Sequence, residues 1–298
     1  MRVGVFELAT WRKPLAAGLA VLIEGANGDS LYAEAHGEGI PLVLSCALCT
    51  THENWRPQVE PLVAAGARVI LWDYRGHGRS EAPEAAAAYH LDAVLEDLRC
   101  VLDWAAPGEP AIVGGLSFGG LLSLHLALLA PQRVRALLLV DTGPGFKKPE
   151  AQQRWESQVE RTASYIERKG CAAFAASRAA ATLVGKYPER PAAKSAAQAV
   201  GAQQPHGLAH FARRVAGPAS PVIDQLGDIA QPALVVIGEE DEPYLRAAEV
   251  LEARLPKGRR VVLGGAGHIV NLDAPAEFNQ LVGDFVREIS AQSAANSG

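Results

Sequence analysis

The run Gly114-Gly115-Leu116-Ser117-Phe118-Gly119-Gly120 most narrows what this chain can become. It lies between the apolar stretch Ala111-Ile112-Val113 and the helix-like Leu121-Leu122-Ser123-Leu124-His125-Leu126-Ala127. Glycines two before and two after a serine, with one more on each side, leave no side chain to obstruct a sharp turn from strand into helix. Such a turn lifts the serine hydroxyl clear of the sheet. There a base can take its proton, and without a base the hydroxyl is a poor nucleophile. A plain strand-to-helix turn can carry the same spacing, so a nucleophilic reading needs a base and an orienting acid further along, in the order serine, acid, histidine.

Both follow in that order. Arg260-Val261-Val262-Leu263 reads as a buried strand, and Gly264-Gly265-Ala266-Gly267-His268 after it places His268 on a glycine-rich loop. A histidine titrates near neutrality, so it can accept the serine proton and return it to a leaving group. The structural reading of His268 is a loop residue capping the helix that begins near Pro275. The acid follows the apolar strand Ala233-Leu234-Val235-Val236-Ile237, in the turn Gly238-Glu239-Glu240-Asp241-Glu242-Pro243. Asp241 is the preferred acid, a short carboxylate just before a helix that Pro243 can start. Glu239 or Glu240 could take the role instead. Asp141, at the end of the strand Ala136-Leu137-Leu138-Leu139-Val140, is the rival from another strand.

Nearly half of the 298 residues are apolar, 49%, enough for one large core or a core with an inserted lobe. A first hairpin (residues 21–24 and 31–35) is followed by apolar strands at 42–44, 69–72 and 111–113, and later by strands beginning at Ala136, Ala233 and Arg260. Between them, Leu91, Val94, Leu95, Leu98, Val101 and Leu102 recur at helical spacing within Leu91–Ala105. Apolar strands alternating with helices predict an α/β fold, with a mostly parallel central sheet covered by helices on both faces. From Asp141 to Gln231 the pattern turns to alanine-rich helices without a strand. This predicts a core of residues 20–142 and 222–288, a helical cap over 143–221, an N-terminal extension over 1–19, and a flexible tail over 289–298.

The cap carries twelve Lys or Arg and five Asp or Glu, a net of +7, so the rest of the chain carries −12 to reach −5. That bias either steers an anionic substrate toward the serine or decorates solvated helix faces. Four scattered cysteines in a chain of this size fit a reducing cytoplasm. Cys46-Ala47-Leu48-Cys49 lacks the second pair or histidine couple of a zinc site, so no metal is expected. Trp11-Arg12-Lys13 and the apolar residues 15–23 superficially match an export signal. Glu7 before them and the missing small-x-small cleavage site speak against it. No apolar run approaches membrane-spanning length, and the acidic balance disfavours nucleic acid.

Together these motifs resemble the alpha/beta-hydrolase fold, in its capped esterase and lactonase form, over residues 20–288. The likeness rests on Gly115-Leu116-Ser117-Phe118-Gly119, on Asp73-Tyr74-Arg75-Gly76-His77-Gly78-Arg79-Ser80, on Gly238-Glu239-Glu240-Asp241 and on Gly267-His268. It implies a cofactor-free serine hydrolase acting on carboxylic esters of small to medium molecules through an acyl-enzyme. Ser117 would be the nucleophile, His268 the base and Asp241 the acid, with the main-chain N–H groups of Phe118 and Leu48 as the oxyanion hole. His77 reads as structural. Serine rather than aspartate at the turn argues against dehalogenase or epoxide hydrolase chemistry.

The departure is Ser45-Cys46-Ala47-Leu48, where many relatives have His-Gly and an aromatic residue. Leu44-Ser45-Cys46-Ala47-Leu48-Cys49-Thr50 is instead similar to the Leu-Ser-Asn-Ser-Leu-Gly-Thr loop of 3-oxoadipate enol-lactonases. It adds lactone or enol-lactone hydrolysis as the alternative, then carbon–carbon bond hydrolysis. A small-molecule receptor with little turnover is the reading from another class. His52, Trp55, His125, His206 and His210 are open between pocket lining and packing.

Overall fold

The computed structural model describes residues 19–295. The expected N-terminal extension and the start of the export-like segment lie outside these residues, Leu19 excepted. Strands β1 (Leu19–Glu24) and β2 (Ser30–His36) form an antiparallel hairpin. The chain then winds through β3 (Ile40–Ser45), α1 (Val59–Ala64), β4 (Ala67–Trp72), α2 (Leu91–Ala105), β5 (Ala111–Leu116), α3 (Phe118–Leu129) and β6 (Val134–Val140). A helical insertion follows, built of α4 (Pro149–Ala175), α5 (Ala181–Val184), α6 (Pro191–Gly201) and α7 (Pro205–Phe211). The chain closes with β7 (Ala233–Gly238), α8 (Glu242–Arg254), β8 (Gly258–Leu263), α9 (Val270–Asp273) and α10 (Pro275–Ala295).

The eight strands form one sheet in the order β1-β2-β4-β3-β5-β6-β7-β8, antiparallel at the first two pairings and parallel from β4 onward. Central β5 is buried along its whole length, so it reads as a continuous apolar run rather than an alternation. Helix α2 covers the sheet with the predicted stripe, Val94, Leu98, Val101 and Leu102 being fully buried. The His90 ring caps its start by accepting a hydrogen bond from the Ala93 N–H at 3.2 Å. The carboxyl ends of β3, β4, β5, β6, β7 and β8 release the loops that carry Leu48, His77, Ser117, Asp141, Asp241 and His268. In open α/β sheets that edge is where ligands bind.

Two expectations change. Arg260-Val261-Val262-Leu263 is not a buried strand: β8 is the sheet edge, paired only with β7, and Val262 is 43% exposed. Apolar β-branched composition does not distinguish an edge from a centre. Nor does the chain fray at Ser290, because α10 continues to Ala295. Ile289 is buried, and the Arg135 guanidinium donates to Ser293 Oγ. Alanine and glutamine there sustain a helix once one face docks.

A buried ion pair ties the start of the sheet to α2. The Arg75 guanidinium forks onto Asp97 at 2.6 and 2.7 Å, and the Ala26 N–H donates to the same carboxylate at 2.9 Å. Both side chains are fully buried. Removing one partner strands the other charge. Asp97→Ala is expected to lower the unfolding free energy by about 3–5 kcal/mol in urea titrations.

Candidate active site

Ser117 alone makes the turn between β5 and α3, with φ 54° and ψ −112°, a left-handed conformation that serine rarely adopts. Its N–H donates to Val140 O at 2.8 Å, and its carbonyl accepts from the Gly120 N–H at 3.0 Å and from Thr142 Oγ1 at 2.5 Å. The flanking glycines are required by space. A Cβ on Gly115 would lie 2.4 Å from the Gly119 carbonyl carbon, and one on Gly119 would lie 2.5 Å from Ser45 O.

His268 Nδ1 donates to Asp241 Oδ2 at 2.8 Å, the carboxylate buried and the imidazole partly so, at 13% exposure. The ring proton belongs on Nδ1, facing the carboxylate, which leaves Nε2 as a base. Among the described residues no hydrogen bond occupies Nε2. The competing acids are engaged elsewhere. Glu239 accepts from the Gly265 N–H at 3.0 Å, and Glu240 pairs with Lys186. Asp141, the rival, is fully buried, and its two oxygens accept from the Gly238 and Val270 N–H groups at 2.9 and 3.0 Å. Burial, and then the charge of Asp241, push its carboxyl well above the usual carboxylate range. It braces the ends of β6 and β7 against the start of α9.

Opposite the histidine, the loop after β3 is held by side chains. The Tyr74 hydroxyl donates to Cys46 O at 2.6 Å, and the Cys49 N–H donates to His77 Nε2 at 3.2 Å. Gln203, from the insertion, donates to Cys49 O at 2.8 Å and accepts from the Gly78 N–H at 3.0 Å. The left-handed residue of the loop is Cys49, φ 65°, so Ala47 bears no strain. Among the described residues the N–H groups of Leu48 and Phe118 carry no hydrogen bond, and both residues line the cavity holding Ser117 and His268. That cavity is about 940 Å³, walled on the insertion side by Trp155, Val159 and Phe174.

A family model described as the alpha/beta hydrolase fold matches residues 40–275. The chain belongs to the alpha/beta hydrolase fold family. It is 32% identical over 276 residues to RutD of Variovorax paradoxus, which carries the name of a carbamate hydrolase, covering 88% of this chain and 97% of that protein. It is 27% identical over 275 residues to 3-oxoadipate enol-lactonase 1 of Acinetobacter baylyi, covering 91% and 98%. The solved enol-lactonase of Burkholderia xenovorans LB400 superposes with a TM-score of 0.76 at 26% identity, covering 90% of this chain and 99% of that one.

In this alpha/beta hydrolase His52, Trp55, His125, His206 and His210 lie outside the cavity wall. His52 Nδ1 bonds Asp73 at 2.7 Å, Trp55 Nε1 donates to Ser45 O at 3.2 Å, and His125 meets Ser220 O at 3.0 Å. Burial pushes the Cys46 thiol up, and Cys49 to about 12, so both are inert thiols rather than ligands. No group of metal-ligating side chains occurs among the described residues, and none of the described helices is long and apolar enough to cross a membrane. Of the insertion's cations, Arg154 and Lys186 line the cavity, and Lys186 is spent on Glu240 and Gly265 O.

Tyr244 is a cavity residue that the sequence reading missed. It stacks on the His268 ring, with centroids 4.8 Å apart and planes at 25°. Its spacing was a signal: an aromatic three residues after the acid, at a helix start, shares the face of Asp241.

Two measurements follow from this geometry. Asp241→Asn is expected to lower hydrolytic turnover on the order of 10⁴-fold by spoiling the imidazole tautomer. Asp141→Asn should keep most turnover but lose about 1–3 kcal/mol of stability, since its amide NH₂ would face a main-chain donor. Parallel kinetics and urea titrations separate the two roles. Burial holds His77 down to about 4, against the ordinary 6.5. The unfolded chain therefore takes up this proton first, and stability falls as pH drops from 6.5 toward 4, by at most about 1.4 kcal/mol per pH unit. His77→Gln keeps an acceptor for the Cys49 amide without titrating, and should flatten that part of a stability–pH curve.

Proposed function

We propose that this hydrolase cleaves carboxylic esters of small to medium molecules through an acyl-enzyme on Ser117. The carrying observation is the 2.8 Å contact of His268 Nδ1 with Asp241, in one cavity with a serine held at positive φ. His268 Nε2 takes the Oγ proton as Oγ attacks the ester carbonyl carbon. The Leu48 and Phe118 amides receive the developing oxyanion, and loss of such a donor costs about 3 kcal/mol in comparable sites. The imidazolium then protonates the departing alcohol. Water, deprotonated by the same imidazole, attacks the acyl-enzyme and releases the acid. Each step needs only protein groups and water, so no cofactor is assigned. The helices between β6 and β7 act as the cap that shapes the pocket. A reducing, cytoplasmic setting belongs to the same proposal, since Cys46, Cys49, Cys100 and Cys171 are all free thiols.

Lactone or enol-lactone hydrolysis is the second reading, favoured by the enol-lactonase relatives and by the Leu44–Thr50 similarity. It uses the same steps, with the leaving oxygen tethered to the acyl group.

Ser117→Ala is expected to reduce hydrolysis of short and medium p-nitrophenyl esters by at least about a thousandfold. Unchanged turnover in the variant would remove Ser117 from the reaction. Comparing γ- or δ-lactones with open-chain esters of matched acyl group decides between the two readings. Tight binding without turnover would favour a receptor.

A further inference from the structure

Tyr244 has no part in the reaction written above, yet it stacks on His268 and shares the cavity of Ser117. It is the third residue of α8, and its N–H donates to Asp241 O at 2.9 Å, so the helix start carries its ring directly from the acid. The ring stacks on the His268 imidazole, and Tyr244 lines the same cavity as Ser117, with its hydroxyl on the side of the Ser117 side chain. The side chain lines the cavity with part of its ring packed against the core.

Direction matters here. The oxyanion amides of Leu48 and Phe118 come from the loop after β3 and from the start of α3. Tyr244 lies on the β7 side, with His268. In acyl transfer the leaving oxygen must depart on the histidine side, because the imidazolium is its proton donor. A phenol that overlies the imidazole on the side of the nucleophile therefore lies where the leaving oxygen accumulates charge.

Resting on the acyl-transfer reading, we propose that Tyr244 is a further catalytic residue, whose hydroxyl donates a hydrogen bond to the departing oxygen while its ring holds the imidazole plane. As the tetrahedral intermediate collapses, the bond from acyl carbon to leaving oxygen breaks and its electron pair stays on that oxygen. The proton on His268 Nε2 passes to it. Tyr244 lends its hydrogen bond during the transfer and keeps its own proton. Burial raises the phenol above its ordinary pKa of 10, so it remains a donor at neutral pH.

A donor aimed at the leaving oxygen helps most when that oxygen is most basic. The test is kcat/KM and kcat for one acyl group esterified to p-nitrophenol, phenol, trifluoroethanol and ethanol, in wild type, Tyr244→Phe and Tyr244→Leu, with Ser117→Ala as the blank. Tyr244→Phe keeps the stacked ring and loses only the hydroxyl. It is expected to leave kcat/KM for the p-nitrophenyl ester within about twofold and to lower it about tenfold for the ethyl ester, through kcat rather than KM. Tyr244→Leu, which also loses the stacking, should lower the whole series and shift the acid limb of its pH profile. An equal loss at every leaving group in Tyr244→Phe, or no loss at any, overturns the proposal while the Ser117 reading stands. A wild type whose turnover does not depend on Ser117 overturns both.

Discussion

The strained turn at Ser117 is the constraint around which the rest of the site is arranged. A serine at φ 54° costs about 1–3 kcal/mol relative to relaxed backbone. Main chain must approach main chain on both sides of it, Gly115 against Gly119 and Gly119 against Ser45 and Cys46. The turn persists because its neighbours over-determine it. Val140 takes its N–H and Thr142 its carbonyl, both from the strand beside β5 or the residues just beyond it. Those contacts fix where β6 ends, and so where Asp141 sits to join β6, β7 and the histidine loop.

The loop after β3 shows how a chain without the usual glycine there can still present a main-chain donor. Conformational freedom at Ala47 is replaced by external bracing. Tyr74 holds Cys46 O, His77 holds the Cys49 N–H, and Gln203 holds Cys49 O. The positive φ moves to Cys49, one residue past Leu48. His77 accepts through Nε2 as a neutral ring, with Nδ1 donating to Arg75 O, and burial extends that neutral form to lower pH. The Asp73–Ser80 turn thus acts on the site through geometry, without touching the cavity.

Those features were legible in different degrees. The strand–turn–helix at Ser117 and the α2 stripe depend on local spacing, which a sequence displays directly. The edge position of β8 does not, since the same Val-rich run suits a strand with one neighbour or two. The preference for Asp241 over Glu239 and Glu240 rests in the sequence on its place just before a helix, whereas what each carboxylate meets, a Gly265 amide, a Lys186 ammonium or the imidazole, is visible only in the structure. Gln203 lies more than a hundred residues from the Cys49 carbonyl it binds, a contact no spacing rule anticipates.

That long-range contact is one of several by which the helices between β6 and β7 enter the frame of the site. The Lys186 N–H donates to Asp273 Oδ1 at 2.7 Å, while Asp273 Oδ2 accepts from the Gly267 N–H at 2.8 Å, so one carboxylate joins the insertion to the residue before His268. Arg190 donates to the carbonyls of Leu272 and Asp273, and Asn54 donates to Leu183 O. Gln203 and Gly78 complete the fastening on the side of the β3 loop. Lifting these helices away would break charge-assisted and buried hydrogen bonds on both sides of Ser117 at once. Each is worth about 1–3 kcal/mol when its partner is left dry. The insertion therefore sets the positions of the histidine loop and the Leu48 loop together, and a change in its packing reaches His268 and the Leu48 amide by separate bonds.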